Sequence, residues 1–189
     1  MTATLAEQGI TLWLTGLPSA GKSTIALGVA ERLRSGGRKV EVLDGDEVRR
    51  NLTADLGFSR ADREENVRRI GFIAGLLSRN GVITLVPVIA PYADSRAQVR
   101  ARHVQSGVAF VEVYVATPVD VCAVRDVKGL YAKQRAGNLT GLTGVDDPYE
   151  PPCSPDLLVP AHTQSVAESV DAVHVFVSNI LAASSRQRG

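Results

Sequence analysis

The residues whose types and spacing most plainly suit chemistry run from Gly16 to Ser23: Gly-Leu-Pro-Ser-Ala-Gly-Lys-Ser, with Thr24 next. This is the pattern G-x-x-x-x-G-K-[ST]. Glycines at its two ends let the backbone turn tightly, so that successive N–H groups face a run of phosphates. Lys22 supplies a point charge toward the β- and γ-phosphates of a nucleotide, and the Ser23 hydroxyl can reach Mg²⁺. A helix beginning here would add its positive N-terminal end to the same anion. The competing reading is a chance match. An apolar run, Ile10–Thr15, just before and an amphipathic stretch just after favour a functional cradle made of Gly16, Leu17, Pro18, Ser19, Ala20, Gly21, Lys22, Ser23 and Thr24. Such a cradle leaves open a kinase, a nucleotide hydrolase or a switch.

A second group of candidates follows the next apolar run. Leu43-Asp44-Gly45-Asp46 places two carboxylates at a strand end, and Arg49 lies one helical turn beyond Asp46. Carboxylates here suit Mg²⁺ or an acceptor hydroxyl, because phosphoryl transfer needs in-line positioning and charge neutralisation more than covalent chemistry. An Asp-Gly turn with a helix N-cap would use the same residues. Farther on, Arg63 and Asn66 stand three apart on one helix face. They suit either a bidentate grip on phosphate or sulfate, or a polar face laced with i,i+4 pairs. Phe58, in an aromatic-poor chain, fits a core position or a base-stacking one. The string Arg125-Asp126-Val127-Lys128 brings cations that could close over a transferring group, or merely decorate a solvated helix.

These residues need a frame. Short β-rich runs alternate with segments of helical period: strands at 10–15, 39–43, 81–89, 109–115 and 157–159, helices at 23–34, 61–79, 94–105 and 165–181. Alternation of this kind implies right-handed crossovers and a mostly parallel sheet between helix layers, with ligands beyond the carboxyl ends of the strands. The candidate residues fall just after strands, as that rule requires. The stretch 127–156 is rich in Gly, Pro and basic residues and reads as a short helix plus a functional flap.

At 189 residues the chain fits a single domain, 1–189, able to hide roughly 70% of its unfolded surface. Hydrophobic residues make up 44% and charged residues 22%, with a net charge of +1. That balance argues against a nucleic-acid partner or a polybasic membrane anchor. Cys122 and Cys153 follow no metal spacing and read as reduced thiols. The opening MTATLAEQGI has neither a basic nor a long apolar region, and no run approaches the roughly 18 apolar residues of a bilayer span. A cytoplasmic location is expected, with residues 184–189 a frayed tail.

Read together, GLPSAGKST, LDGDEVR, DLGFSRADREENVRRI, PYADSR, FVEVYV, RDVKGLYAKQRAG and DDPYEPP resemble the adenylylsulfate kinase family. That family makes 3′-phosphoadenylylsulfate from adenylylsulfate and ATP. The likeness covers roughly residues 10–156. It implies a P-loop NTPase-type three-layer α/β sandwich, a mainly parallel five-stranded sheet in the order 2-3-1-4-5, ATP and Mg²⁺ as cofactors, and a homodimer. It further implies that Lys22, Asp46 and Lys128 are catalytic, that Asp46 engages the acceptor's 3′-hydroxyl and joins Ser23 at the metal, and that Arg125 lies toward the donor nucleotide. Arg49, Arg63 and Asn66 would hold the phosphosulfate, Phe58 would stack one adenine face, and Ile89, Ala90 and Leu142 would complete the acceptor contacts.

Two positions depart from the family pattern. Where it usually has Ile-Ser-Pro, with a serine phosphorylated in some members, this chain has Ile89-Ala90-Pro91. Ala90 has no hydroxyl, so direct in-line transfer is expected. The family's Phe-Thr-Gly reads Leu142-Thr143-Gly144, and the lost aromatic face would weaken acceptor binding by roughly 1 kcal/mol. Alternatives are a P-loop kinase for a related nucleotide or specialised-metabolite hydroxyl, and a non-catalytic nucleotide-binding regulatory subunit.

Overall fold

The computed structural model describes residues 9–186. Five strands form one sheet: β1 (Ile10–Thr15), β2 (Val40–Val42), β3 (Ile83–Pro87), β4 (Ala109–Val115) and β5 (Leu157–Val159). Their order is β2-β3-β1-β4-β5 and every pairing is parallel. Both the strand order and the α/β sandwich therefore match expectation. Central β1 is buried at all six residues, and its side chains divide by the strand's period of two. Ile10, Leu12 and Leu14 enter one core with Ile25, Val29 and Leu33, while Trp13 enters another with Val67, Ile70 and Val99.

Those two cores define the layers. On one face lie α1 (Lys22–Ser35) and α7 (Val166–Arg186), and on the other α3 (Arg60–Arg79) and α4 (Ala93–Gln105). Ser59 caps α3, its Oγ accepting from the Asp62 amide at 3.2 Å, as a serine one residue before an apolar-periodic run should. Short helices α2 (Gly45–Asn51), α5 (Val119–Arg125) and α6 (Leu130–Arg135) carry much of the site. The short helix expected within 127–156 is α6; α5 lies before that stretch and was not expected, being only two turns long, below the length at which periodicity shows.

The window Val166–Ala183 of α7 is long and apolar enough to span a bilayer, with a mean hydropathy of 1.3, contrary to the sequence count. Val170, Val173 and Val177 of this helix are buried in the α1-side core, so its apolar stripe is met by protein. α7 runs through Arg186, so the frayed tail expected from 184 is helical to that point; 187–189, like 1–8, lie outside the described residues. Cys122 is buried and Cys153 exposed, and both are free thiols, as expected.

Candidate active site

β1 ends at Thr15 and the cradle begins at once. Gly21 adopts φ +108°, a left-handed conformation that a side chain would resist, and α1 starts at the next residue. Lys22 is only 8% exposed, and its Nζ donates to the Gly16 and Leu17 carbonyls at 3.0 and 2.7 Å. Burial is the main reason its pKa falls from 10.5 to about 8; the Lys128 charge lowers it further, while Asp44 and Asp46 oppose the shift. Neighbours brace the loop from outside. Ala20 O accepts from Thr117 Oγ1 and Arg125 Nη1, Pro18 O accepts from Tyr131 Oη, and the Val127 amide donates to Ser19 Oγ. Thr24 is exposed on the first turn of α1.

Across the mouth, β2 leads into α2. The Asp44 side chain caps that helix through the Asp46 amide at 3.0 Å, and its other oxygen accepts from Ser23 Oγ at 2.8 Å. The capping reading of this pair holds at one oxygen of Asp44, and the other oxygen meets the Ser23 hydroxyl. The carboxylate beside Ser23 is thus Asp44, whereas Asp46 pairs with Lys128 of the flap. Both carboxylates were sequence candidates and only Asp46 was assigned a role, because spacing alone cannot rank two carboxylates two residues apart. Among the described residues no group of three or more His, Cys, Asp or Glu could hold a metal. Ser23 with these two carboxylates nevertheless fits Mg²⁺, which keeps several waters and takes phosphate oxygens rather than a full protein cage.

Phe58 is 71% exposed, which rules out the core reading; the Arg49 guanidinium lies 4.5 Å from its ring centroid and that of Arg63 5.7 Å. Burial, then repulsion from Arg63, lowers the Arg49 pKa. Arg49 Nη1 donates to the Leu56 and Gly57 carbonyls, and Asn66 Oδ1 accepts from Thr53 Oγ1 at 2.7 Å. Arg63 is more fully engaged: Nε donates to Phe58 O, Nη1 to Thr143 Oγ1 and Nη2 to Gly141 O, with Asp147 Oδ2 at 3.2 Å. In this conformation Arg63 ties α3 to the flap instead of presenting a free fork to an anion. Arg125 likewise grips protein, donating to Ala161 O at 2.7 Å as well as to Ala20 O, so it stands beside the cradle as expected.

Leu142 departs most from its expected place. It is 5% exposed and packs in the α1-side core, with Leu17 and Leu139 against the same cluster. Gly144, at φ +87°, lies so close to Leu17 that a Cβ would fall 2.3 Å from its Cδ2. The flap therefore rests on the cradle through apolar contact, and Leu142 offers no open stacking face here. Ile89 and Ala90 follow β3; Ala90 is buried with φ +44°, and their carbonyls accept from Thr15 Oγ1 and Arg96 Nη1. A groove of about 360 Å³ lies apart from these residues, between α3 and α4, lined in part by Glu64, Arg68, Asp94 and Arg102.

Known proteins are similar to this chain in sequence and fold. The adenylylsulphate kinase family profile matches residues 8–160. The adenylyl-sulfate kinase of Synechococcus sp. (strain JA-2-3B'a(2-13)) is 53% identical over 169 residues, 89% of this chain and 94% of its own. The Mycobacterium tuberculosis APS kinase, solved with AMPPNP and APS, superposes with a TM-score of 0.87 at 46% identity, covering 90% of this chain and 98% of that one. A hexameric APS kinase from Thiobacillus denitrificans gives 0.70 at 38% identity, covering 91% of this chain and 29% of that one. A Sinorhizobium meliloti gluconokinase, with a TM-score of 0.63 at 16% identity over 95% of this chain and 98% of its own, shares the fold alone. With the profile spanning most of its length and relatives above half identity, this chain belongs to the adenylylsulphate kinase family.

Proposed function

We propose that the protein transfers the γ-phosphoryl group of ATP to the 3′-hydroxyl of adenylylsulfate, giving 3′-phosphoadenylylsulfate and ADP. The observation that carries this reading is the ion pair of Asp46 and Lys128. It joins the start of α2 to the flap, close enough to the buried Lys22 for both charges to act on it. Donor phosphates sit on the loop amides, on Lys22 and at the N-terminus of α1. The acceptor lies on the Arg49, Phe58 and Asn66 side, its adenine against Phe58, with Ile89 and Ala90 below. Arg63 shapes that side by holding the flap to α3.

In the reaction the acceptor oxygen forms a bond to the γ-phosphorus while the bond to the leaving ADP oxygen breaks. Asp46 accepts the hydroxyl proton, and Lys128 turns from Asp46 toward the equatorial oxygens of the transferring group. Ser23, Asp44 and Asp46 would hold Mg²⁺, which would supply charge neutralisation on the β- and γ-phosphates. Ala90 carries no hydroxyl, so transfer is direct. We place the activity in a single soluble, cytoplasmic domain of 1–189 that works as a homodimer. The deciding experiment is turnover of ATP, Mg²⁺ and pure adenylylsulfate, followed as ADP and 3′-phosphorylated product. No product, or a strong preference for another hydroxyl acceptor, overturns the reading; binding of both nucleotides without product points to a regulatory subunit.

A further inference from the structure

Arg96 stands outside every role assigned above, yet it is the most completely buried guanidinium among the described residues, at 3% exposure. A buried cation is tolerable only when its charge is paired and its donors are filled. Arg96 is paired with Glu112 and donates from each of its three nitrogens. From α4 its Nε donates to Glu112 Oε1 of β4 at 2.8 Å. Nη1 donates to Ala90 O and Nη2 to Glu150 O, both at 2.7 Å, and the guanidinium carbon lies 6.0 Å from the Tyr149 ring centroid.

Those partners come from two segments that must be registered to each other. One is the turn Ile89–Pro91 after β3, where Ala90 holds φ +44° without being glycine. Such a conformation persists only where the surroundings over-determine it. Here Thr15 Oγ1 fixes the Ile89 carbonyl at 2.6 Å and Arg96 fixes that of Ala90. The other segment is the trailing stem of the flap, Tyr149–Glu150. Its Glu150 amide donates to Pro91 O at 2.8 Å, Glu150 Oε2 accepts from the Ala93 amide at 2.7 Å, and Tyr149 Oη lies 3.0 Å from Thr15 Oγ1. Turn and stem form one bonded unit with Arg96 at its hub. The braces of the cradle, Thr117, Arg125, Val127 and Tyr131, make their bonds to the loop elsewhere.

We propose that Arg96 is a positioning residue that sets affinity for the acceptor nucleotide by locking the Ile89–Pro91 turn and the Tyr149–Glu150 stem into one frame. It acts through the Ala90 and Glu150 carbonyls and touches neither nucleotide. The inference rests on the proposed reading of Ile89 and Ala90 as acceptor contacts.

Two variants test it. Arg96→Lys keeps a charge for Glu112 but lacks the planar fork needed to fill three acceptors at once. Arg96→Met combined with Glu112→Gln removes the buried pair together and strands no charge. For each, calorimetry measures Kd for adenylylsulfate and for a non-hydrolysable ATP analogue, steady-state assays give KM for both substrates with kcat, and a thermal melt checks folding. The expected result is a rise of about tenfold in Kd and KM for adenylylsulfate, the loss of one charge-assisted hydrogen bond's worth of positioning. The ATP analogue should stay within about twofold, since its braces are separate. Folded variants that bind adenylylsulfate like the parent overturn the inference, as do equal losses for both nucleotides, which would mark a purely structural residue. Failure of the parent itself to bind adenylylsulfate would instead sink the functional reading, and the inference with it, before any variant is compared.

Discussion

The donor cradle and the acceptor side face one mouth but are built by opposite means. The cradle is one contiguous loop, Gly16–Ser23, whose ligand-facing groups are largely backbone amides aimed by local dihedral angles such as that of Gly21. The acceptor side is assembled from side chains far apart in sequence. Arg63 reaches Thr143 across 80 residues, and Lys128 reaches Asp46 across 82. Lys22 of the cradle bonds carbonyls of its own loop, whereas the acceptor-side charges bond partners from distant segments, Asp46 with Lys128 and Arg63 with Asp147. Acceptor binding would therefore exchange bonds between distant segments, and donor binding bonds within one loop.

Substitutions can break this contrast or sharpen it. The largest effect belongs to Lys22→Ala, which should lower kcat/KM by about 10³ or more by removing the charge on the β- and γ-phosphates. The fold should persist, because Lys22 bonds only to two loop carbonyls and its burial already disfavours the charge. Turnover together with a thermal melt checks both halves; an unfolded variant would mean that Lys22 is structural.

Asp46→Asn should come next, cutting kcat by about 10²–10⁴, the range for a lost general base, with ATP affinity little changed. Steady-state rates and nucleotide titration separate the two. A wild-type rate would show that the Asp46–Lys128 pair is a resting contact without catalytic use.

Acidity offers a gentler probe of the donor half. With Lys22 lowered to about 8 in the folded chain and 10.5 as the ordinary value, the unfolded state binds more protons between those limits. Stability of the empty protein should therefore gain from Lys22 as pH rises from about 8 to 10.5, where the cost of burying its charge fades. A bound triphosphate restores the charge, so binding near pH 9 should take up as much as about one proton per site, falling toward none near pH 6.5. Calorimetry in buffers of different ionisation enthalpy reads this directly. No uptake at pH 9 would separate Lys22 from the phosphates.

Smallest is the effect of Leu142→Phe. The family pattern alone makes this a gain of about 1 kcal/mol in acceptor binding through a second stacking face. The buried Leu142 makes it overpacking instead, with a cost of about 1–3 kcal/mol and no tighter acceptor. A melt and an adenylylsulfate titration decide. Tighter binding at unchanged stability would show that the flap swings Leu142 outward when the acceptor is bound.

The cradle, the strands and the long helices were legible because each is written in local runs: a glycine pattern, an apolar strand, a 3.6-residue period; the strand order came only from the family resemblance. Asp44, Arg63 and Leu142 were harder for a shared reason. Asp44 and Asp46 have the same chemistry, and only Ser23 and Lys128, arriving from elsewhere, tell them apart. Arg63 looks like an anion grip until Gly141, Thr143 and Asp147 surround it. Helix α5 went unread because seven residues show too little periodicity.

By itself the amino-acid sequence determined what short-range physics can determine: a parallel sheet of alternating elements, a phosphate loop at the end of β1, and which charged residues follow each strand. Tertiary structure alone decided which of those charges meet. A side chain's partner depends on how distant segments pack, and the same arginine can hold a substrate, a flap or a strained turn. For Arg63 and Arg96 the surrounding oxygens settle the matter, because a guanidinium that donates to the protein from all three nitrogens acts first on the segments it holds.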